Sequence, residues 1–171
     1  MFALTAIVNA QTANNKPVES AKTSPTVVIV GDSIQLSYAR VVTEQLKKKA
    51  RVISPSANGG DSNSVLKNLD KWVLSHQPDV VHFNCGIHDT KRFKETEQFQ
   101  VSPKQYEANL RKIVSLIRQK TNATVVFATT TPILHARAAK LRSGRDYELL
   151  NSCVEQYNKI ATRVMKELKV R

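Results

Sequence analysis

Three short clusters in this sequence combine small residues with groups that can attack, donate or accept: Gly31-Asp32-Ser33, Asn58-Gly59-Gly60-Asp61 and Gly86-Ile87-His88-Asp89. A serine hydroxyl becomes a nucleophile when a base takes its proton. Glycines in neighbouring turns let backbone N–H groups approach the oxygen on which negative charge then develops. Each cluster alone also has a plain structural reading. Serine is an ordinary helix N-cap, glycine an ordinary turn residue, and a loop histidine needs no function. What separates these clusters from such turns is the kind of segment that precedes each of them.

Thr26 to Val30 is a run of β-branched residues that reads as a buried strand, and Ile34, Tyr38, Val41, Val42 and Leu46 follow at helical spacing. A short second strand is expected near Arg51 to Ser54. Val65, Leu66, Leu69, Trp72 and Val73 form a helical stripe ended by Pro78, and Val80 to Cys85 reads as a third strand. Ser102 and Pro103 are an N-cap and first-turn pair for a helix carrying Tyr106, Leu110, Ile113, Val114 and Ile117. Thr124 to Ala128 is the fourth strand. Leu150, Val154, Tyr157, Ile160, Ala161, Val164 and Leu168 then draw one apolar face on a long last helix. Strand and helix alternate throughout, which predicts an α/β fold: a three-layer α/β/α arrangement with a parallel sheet. The three clusters follow the first, second and third strands. Ligand sites of such sheets lie beyond the carboxyl ends of the strands, and a serine opening a helix there sits in a field that favours anionic oxygen.

With these blocks in place, the sequence from about Thr26 onward resembles the SGNH, or GDSL-type, ester hydrolases, whose fold is flavodoxin-like. Gly-Asp-Ser alone would be weak; joined to Asn-Gly-Gly-Asp-Ser at the second loop and Gly-Ile-His-Asp at the third, it is specific. The resemblance implies that Ser33 is the nucleophile and that the N–H groups of Ser33 and Gly60 donate to the oxyanion. The family's third donor is an Asn side chain in a Gly-x-Asn-Asp block, a position held here by His88. Nδ1 of His is separated from Cβ by the same bonds as the amide nitrogen of Asn, so an Nδ1–H tautomer can occupy nearly the same donor site. Asp32, Asn58, Asp89 and His135 are further candidates around the substrate cleft. Asp89 and Asn84 are expected to hold the third loop's geometry, and His76 and His82 to be structural.

The resemblance also implies a base: a His in an Asp-x-x-His block after a fifth strand, absent from these residues. Three explanations stand open: a fragment of a longer protein, a noncatalytic binder, or a substitute base. The expectation is that the chain stops at Arg171 before the final strand and the dyad. It would then hydrolyse esters negligibly and expose the edge of its fourth strand. His135, in Thr-Thr-Thr-Pro-Ile-Leu-His, is the candidate substitute.

A chain of 171 residues suits one domain, expected over 26–171. The net charge of +12 could mean attraction to a polyanion, but the Lys and Arg residues fall on outer helix faces without interleaved aromatics, so no nucleic-acid partner is expected. Cys85 and Cys153 read as buried thiols rather than a disulfide scaffold. No metal or cofactor is expected, and no run is long enough to span a membrane. Residues 1–25 read as the remnant of an export signal ending near Val8-Asn9-Ala10, then a polar linker; this predicts a periplasmic or extracellular location. The polar Thr129–Thr131 loop, without a visible apolar lid, suits a small or carbohydrate acetyl ester by analogy. The rival is a noncatalytic carbohydrate- or polyanion-binding module on the same fold.

Overall fold

The computed structural model describes residues 24–171, apart from the side chain of His135. The expected export-signal remnant lies outside the described residues. Strand β1 (Thr26–Val30) is the β-branched run, and it ends where Gly31 and Asp32 hand over to helix α1 (Ser33–Leu46). The Asp32 carboxylate caps that helix by accepting from the Ile34 N–H at 2.9 Å. Strand β2 (Arg51–Ile53) follows, then α2 (Ser62–Lys67), capped by Asp61, and α3 (Leu69–Trp72), with a single 3-10 turn at Leu74–His76. The sequence stripe predicts one helix here, but it breaks at Asn68, which leaves helical geometry (φ −100°, ψ 7°). Its side-chain amide donates to the Ser64 carbonyl at 2.9 Å, a local bond that competes with the helical ladder.

Strand β3 (Val80–Phe83) leads to a two-residue strand β4 (Arg92–Phe93) and the long helix α4 (Pro103–Lys120). As expected, Ser102 caps α4 and Pro103 opens it. Strand β5 (Thr124–Phe127), helix α5 (His135–Leu141), strand β6 (Tyr147–Glu148) and helix α6 (Asn151–Glu167) complete the chain. The parallel sheet runs β2-β1-β3-β5, with Val27 opposite Val80 and Val81 opposite Val125. β4 and β6 form a separate antiparallel pair, tied by the Arg92–Glu148 ion pair at 3.1 Å.

Alternation along the strands decides what each face meets. Val28, Val30, Val81 and Phe83 join Leu110, Ile113, Tyr157 and Val164 in the core under α4 and α6. His82, between Val81 and Phe83, points to the opposite face, where the Tyr38 ring of α1 meets it edge-on at 5.8 Å. Helices therefore cover both faces, as the three-layer expectation requires. Burial on that second face pushes the Tyr38 hydroxyl up to about 12 and holds the His82 imidazole below its usual range. Both cysteines are free and buried. At the outer edge of β5, the Phe127 N–H donates to the Arg171 carbonyl at 2.8 Å, so this edge is not wholly bare.

One surface feature departs from expectation. No apolar lid is legible in the sequence, yet Leu134 and Leu141, bracketing α5, are 73% and 70% exposed.

Candidate active site

The three sequence clusters lie at the carboxyl ends of β1, β2 and β3, and hydrogen bonds stitch them together. Gly59 N–H donates to the Gly31 carbonyl at 2.8 Å, joining the second loop to the first. A methyl group on Gly59 would stand 2.4 Å from that carbonyl oxygen, so this approach requires glycine. Asn84, at the end of β3, donates its amide to Asp32 Oδ1 at 2.9 Å, joining the third strand to the first loop. The Asp89 carboxylate accepts from the Ser62 N–H at 3.0 Å and from the Ser62 hydroxyl, joining the third loop to the second. Asn109 of α4 donates to the same hydroxyl at 2.8 Å.

Ser33 is exposed in this knot. It opens α1, where the first-turn N–H groups have no carbonyl of their own helix to bond. Gly60 adopts φ +67°, a conformation that favours glycine, and its N–H donates to the Asn58 side-chain oxygen at 3.0 Å. The Gly60 donor is thus occupied by an Asx turn that an incoming oxygen would have to displace. His88 is half-buried, and desolvation, with the Lys91 charge next, holds its imidazole below the usual range. The Asp32 and Asp61 carboxylates act on it in the opposite sense. A neutral ring carries one N–H to donate, as the substitution for Asn requires.

The remaining candidates separate by burial. Asn58 is exposed at the rim. Asp32 and Asp89 are fully buried: Asp89 ties the third loop to Ser62, and Asp32 Oδ1 accepts from Ile34 and Asn84 while its Oδ2 has no hydrogen-bond partner among the described residues. Asp89 is pushed up to about 7, chiefly by burial, against the pull of its Ser62 hydrogen bonds. His135 opens α5 rather than sitting in a polar loop, and its side chain lies outside the described residues.

Several supporting residues carry no motif. Tyr106 donates its hydroxyl to the Cys85 carbonyl at 2.9 Å, fixing the chain just before Gly86. Gly86 has φ +151° and lies so close to Thr130 that a Cβ would stand 2.4 Å from its hydroxyl. Asn158 of α6 pins the Thr130 backbone from both sides, at 2.9 and 2.8 Å. In sequence Tyr106 reads only as part of a helix stripe, and Asn158 has no local signal. Among the described residues, no group of three or more His, Cys, Asp or Glu side chains is placed to hold a metal ion, and no helix is long and apolar enough to cross a membrane.

The serine-bearing turn between β1 and α1 and the glycine loops after β2 and β3 lie at the carboxyl edge of a parallel sheet covered by helices, an α/β fold. The sequence profile of the GDSL-like Lipase/Acylhydrolase family matches residues 23–171, and the chain belongs to that family. Among solved structures, it is similar to a lipase/acylhydrolase from Enterococcus faecalis, with a TM-score of 0.66 at 20% identity over 85% of this chain and 73% of that one. The acetyl xylan esterase AlAXEase gives 0.64 at 18% identity, covering 85% and 74%. The acetylxylan esterase Axe2 from Geobacillus stearothermophilus gives 0.64 at 15%, again covering 85% and 74%. At these identities the likeness establishes the fold. No curated protein matches.

Proposed function

We propose that this protein is a serine ester hydrolase in which Ser33 attacks the ester carbonyl and the N–H groups of Ser33 and Gly60, with the His88 ring, stabilise the oxyanion. The observation that supports this reading is the three-loop knot at the carboxyl ends of β1, β2 and β3, in which Ser33 stays exposed at the start of α1. In the first step the Ser33 oxygen bonds to the acyl carbon and its proton passes to a base. The alcohol then leaves with a proton, and water releases the acid from the acyl-serine. The substrate would be a small or carbohydrate acetyl ester; the acetyl xylan esterases among the similar structures support that substrate class. An exported location remains part of this proposal, since a polysaccharide ester would be met outside the cytoplasm.

Among the described residues the hydrogen-bonded histidine ring is that of His82, held by Tyr38, and none is bonded to the Ser33 hydroxyl. A neutral alcohol without a positioned base forgoes roughly 10² to 10⁴ in rate. Residues 1–171 alone are therefore expected to hydrolyse a small activated acetate ester negligibly. In protein supplied with its base, a fluorophosphonate probe and acetate-ester turnover, each measured with and without Ser33→Ala, test the assignment. Labelling and turnover that survive Ser33→Ala would refute Ser33 as nucleophile. Robust turnover by residues 1–171, lost with His135→Ala, would make His135 the base instead.

A further inference from the structure

Helix α5 turns apolar side chains into solvent where its neighbours bury theirs. Leu134, at its N-cap, and Leu141, at its end, stand seven positions apart and so share one side of a two-turn helix. Between them runs a groove of about 260 Å³ with Ile133 and Ala138 along it and Arg137 and Arg142 beside it. Lys140 and Arg145 are exposed nearby, and the single acidic residue in 131–146 is Asp146. None of these four cations is ion-paired with a described carboxylate.

The combination restricts the partner. A polyanion in free solution would neutralise the cations but leave two leucines in water, and an apolar protein surface would bury guanidinium groups at high cost. An anionic bilayer suits both: leucines enter the boundary between headgroups and acyl chains while Arg and Lys heads remain at the phosphates on their flexible stems. We propose that the α5 face docks the protein on an anionic lipid surface. Leu134 and Leu141 insert, and Arg137, Lys140, Arg142 and Arg145 meet the lipid phosphates.

Co-sedimentation tests this with the full chain and vesicles of equal parts phosphatidylcholine and phosphatidylglycerol, compared with phosphatidylcholine alone. The protein should pellet with the anionic vesicles only. Leu134→Ser with Leu141→Ser should lower the partition coefficient by roughly tenfold or more, from the apolar area no longer transferred. Arg137→Gln with Arg142→Gln should also lower it, by at least about fivefold at low salt. Circular dichroism of every variant should match the wild type, because the replaced side chains lie on the surface. Absence of binding to anionic vesicles overturns the proposal. Binding that ignores the leucine changes but vanishes with salt overturns it in favour of a contact made by charge alone. Leucine variants that abolish self-association in sedimentation, while vesicle binding stays unchanged, would assign the face to a second copy of this chain.

Discussion

At the scale of single residues, the two groups that distinguish this site are His88 and Asp89, adjacent in sequence and opposite in role. His88 is the proposed third oxyanion donor, and burial, with the Lys91 charge next, lowers the basicity of its ring. If it donates one hydrogen bond to the oxyanion, His88→Ala should lower kcat by about 10² to 10³ in enzyme supplied with its base, while His88→Asn keeps most of the activity. Equal damage from both substitutions would show that the imidazole serves some other purpose. Asp89 ties the third loop to the second, yet its carboxyl is raised from 3.8 to about 7 by burial. Its folded state therefore binds the proton more tightly than the unfolded chain does. The stability this contributes is fully present below about 4 and is lost as pH rises through about 7. At 1.36 kcal/mol per unit the swing is at most about 4 kcal/mol. Chemical denaturation at pH 4 and pH 8 should show this fall in the wild type and a flatter profile in Asp89→Asn. A wild-type profile that rises over this interval would mean that the Ser62 hydrogen bonds dominate the burial cost.

Among the elements, α4 is the one whose contribution divides most cleanly into parts. Leu110 is fully buried against the sheet, and Ser102 accepts from Gln105 N–H at 3.2 Å at the helix start. Leu110→Ala should cost about 2–5 kcal/mol, and Ser102→Ala about 1 kcal/mol. Urea titration would read both; a Leu110→Ala loss no larger than that of the cap would contradict the packing described. The same helix shows what a sequence discloses. Its cap, opening proline and apolar spacing are all local, as are the β-branched run of β1 and the stripe of α6, so these elements were readable in advance. The knot's anchors were readable only in part, because Asp89 and Ser62 sit inside motifs whereas Tyr106 and Asn109 act from α4 across 21 and 47 positions. β4 and β6, of two residues each, are too short for any periodicity to register, and α5 escaped because its apolar residues face water instead of marking a buried stripe.

For the molecule as a whole, the layers are fastened unequally. α4 and α6 share the core and also an exposed charge cluster, in which Glu107 meets Arg111 at 2.7 Å and Arg163 at 2.6 Å. Those two guanidinium groups hold the Glu107 carboxyl down at about 2, although exposed pairs of this kind add little to stability. The site's third loop, by contrast, begins at Cys85, whose thiol is wholly buried and whose ionisation is pushed up by burial and by nearby carboxylates. Such a sulfur can meet a reagent only when the structure around it opens, which makes it a built-in clock. With Cys153 replaced by Ala, the rate at which Cys85 reacts with an aromatic disulfide should report how often Tyr106 releases the chain ahead of Gly86. Tyr106→Phe should quicken that reaction at denaturant concentrations too low to unfold the protein. If the two rates coincide, with the same steep denaturant dependence, exposure of Cys85 requires global unfolding, and the loop that carries His88 breathes no more readily than the core beneath it.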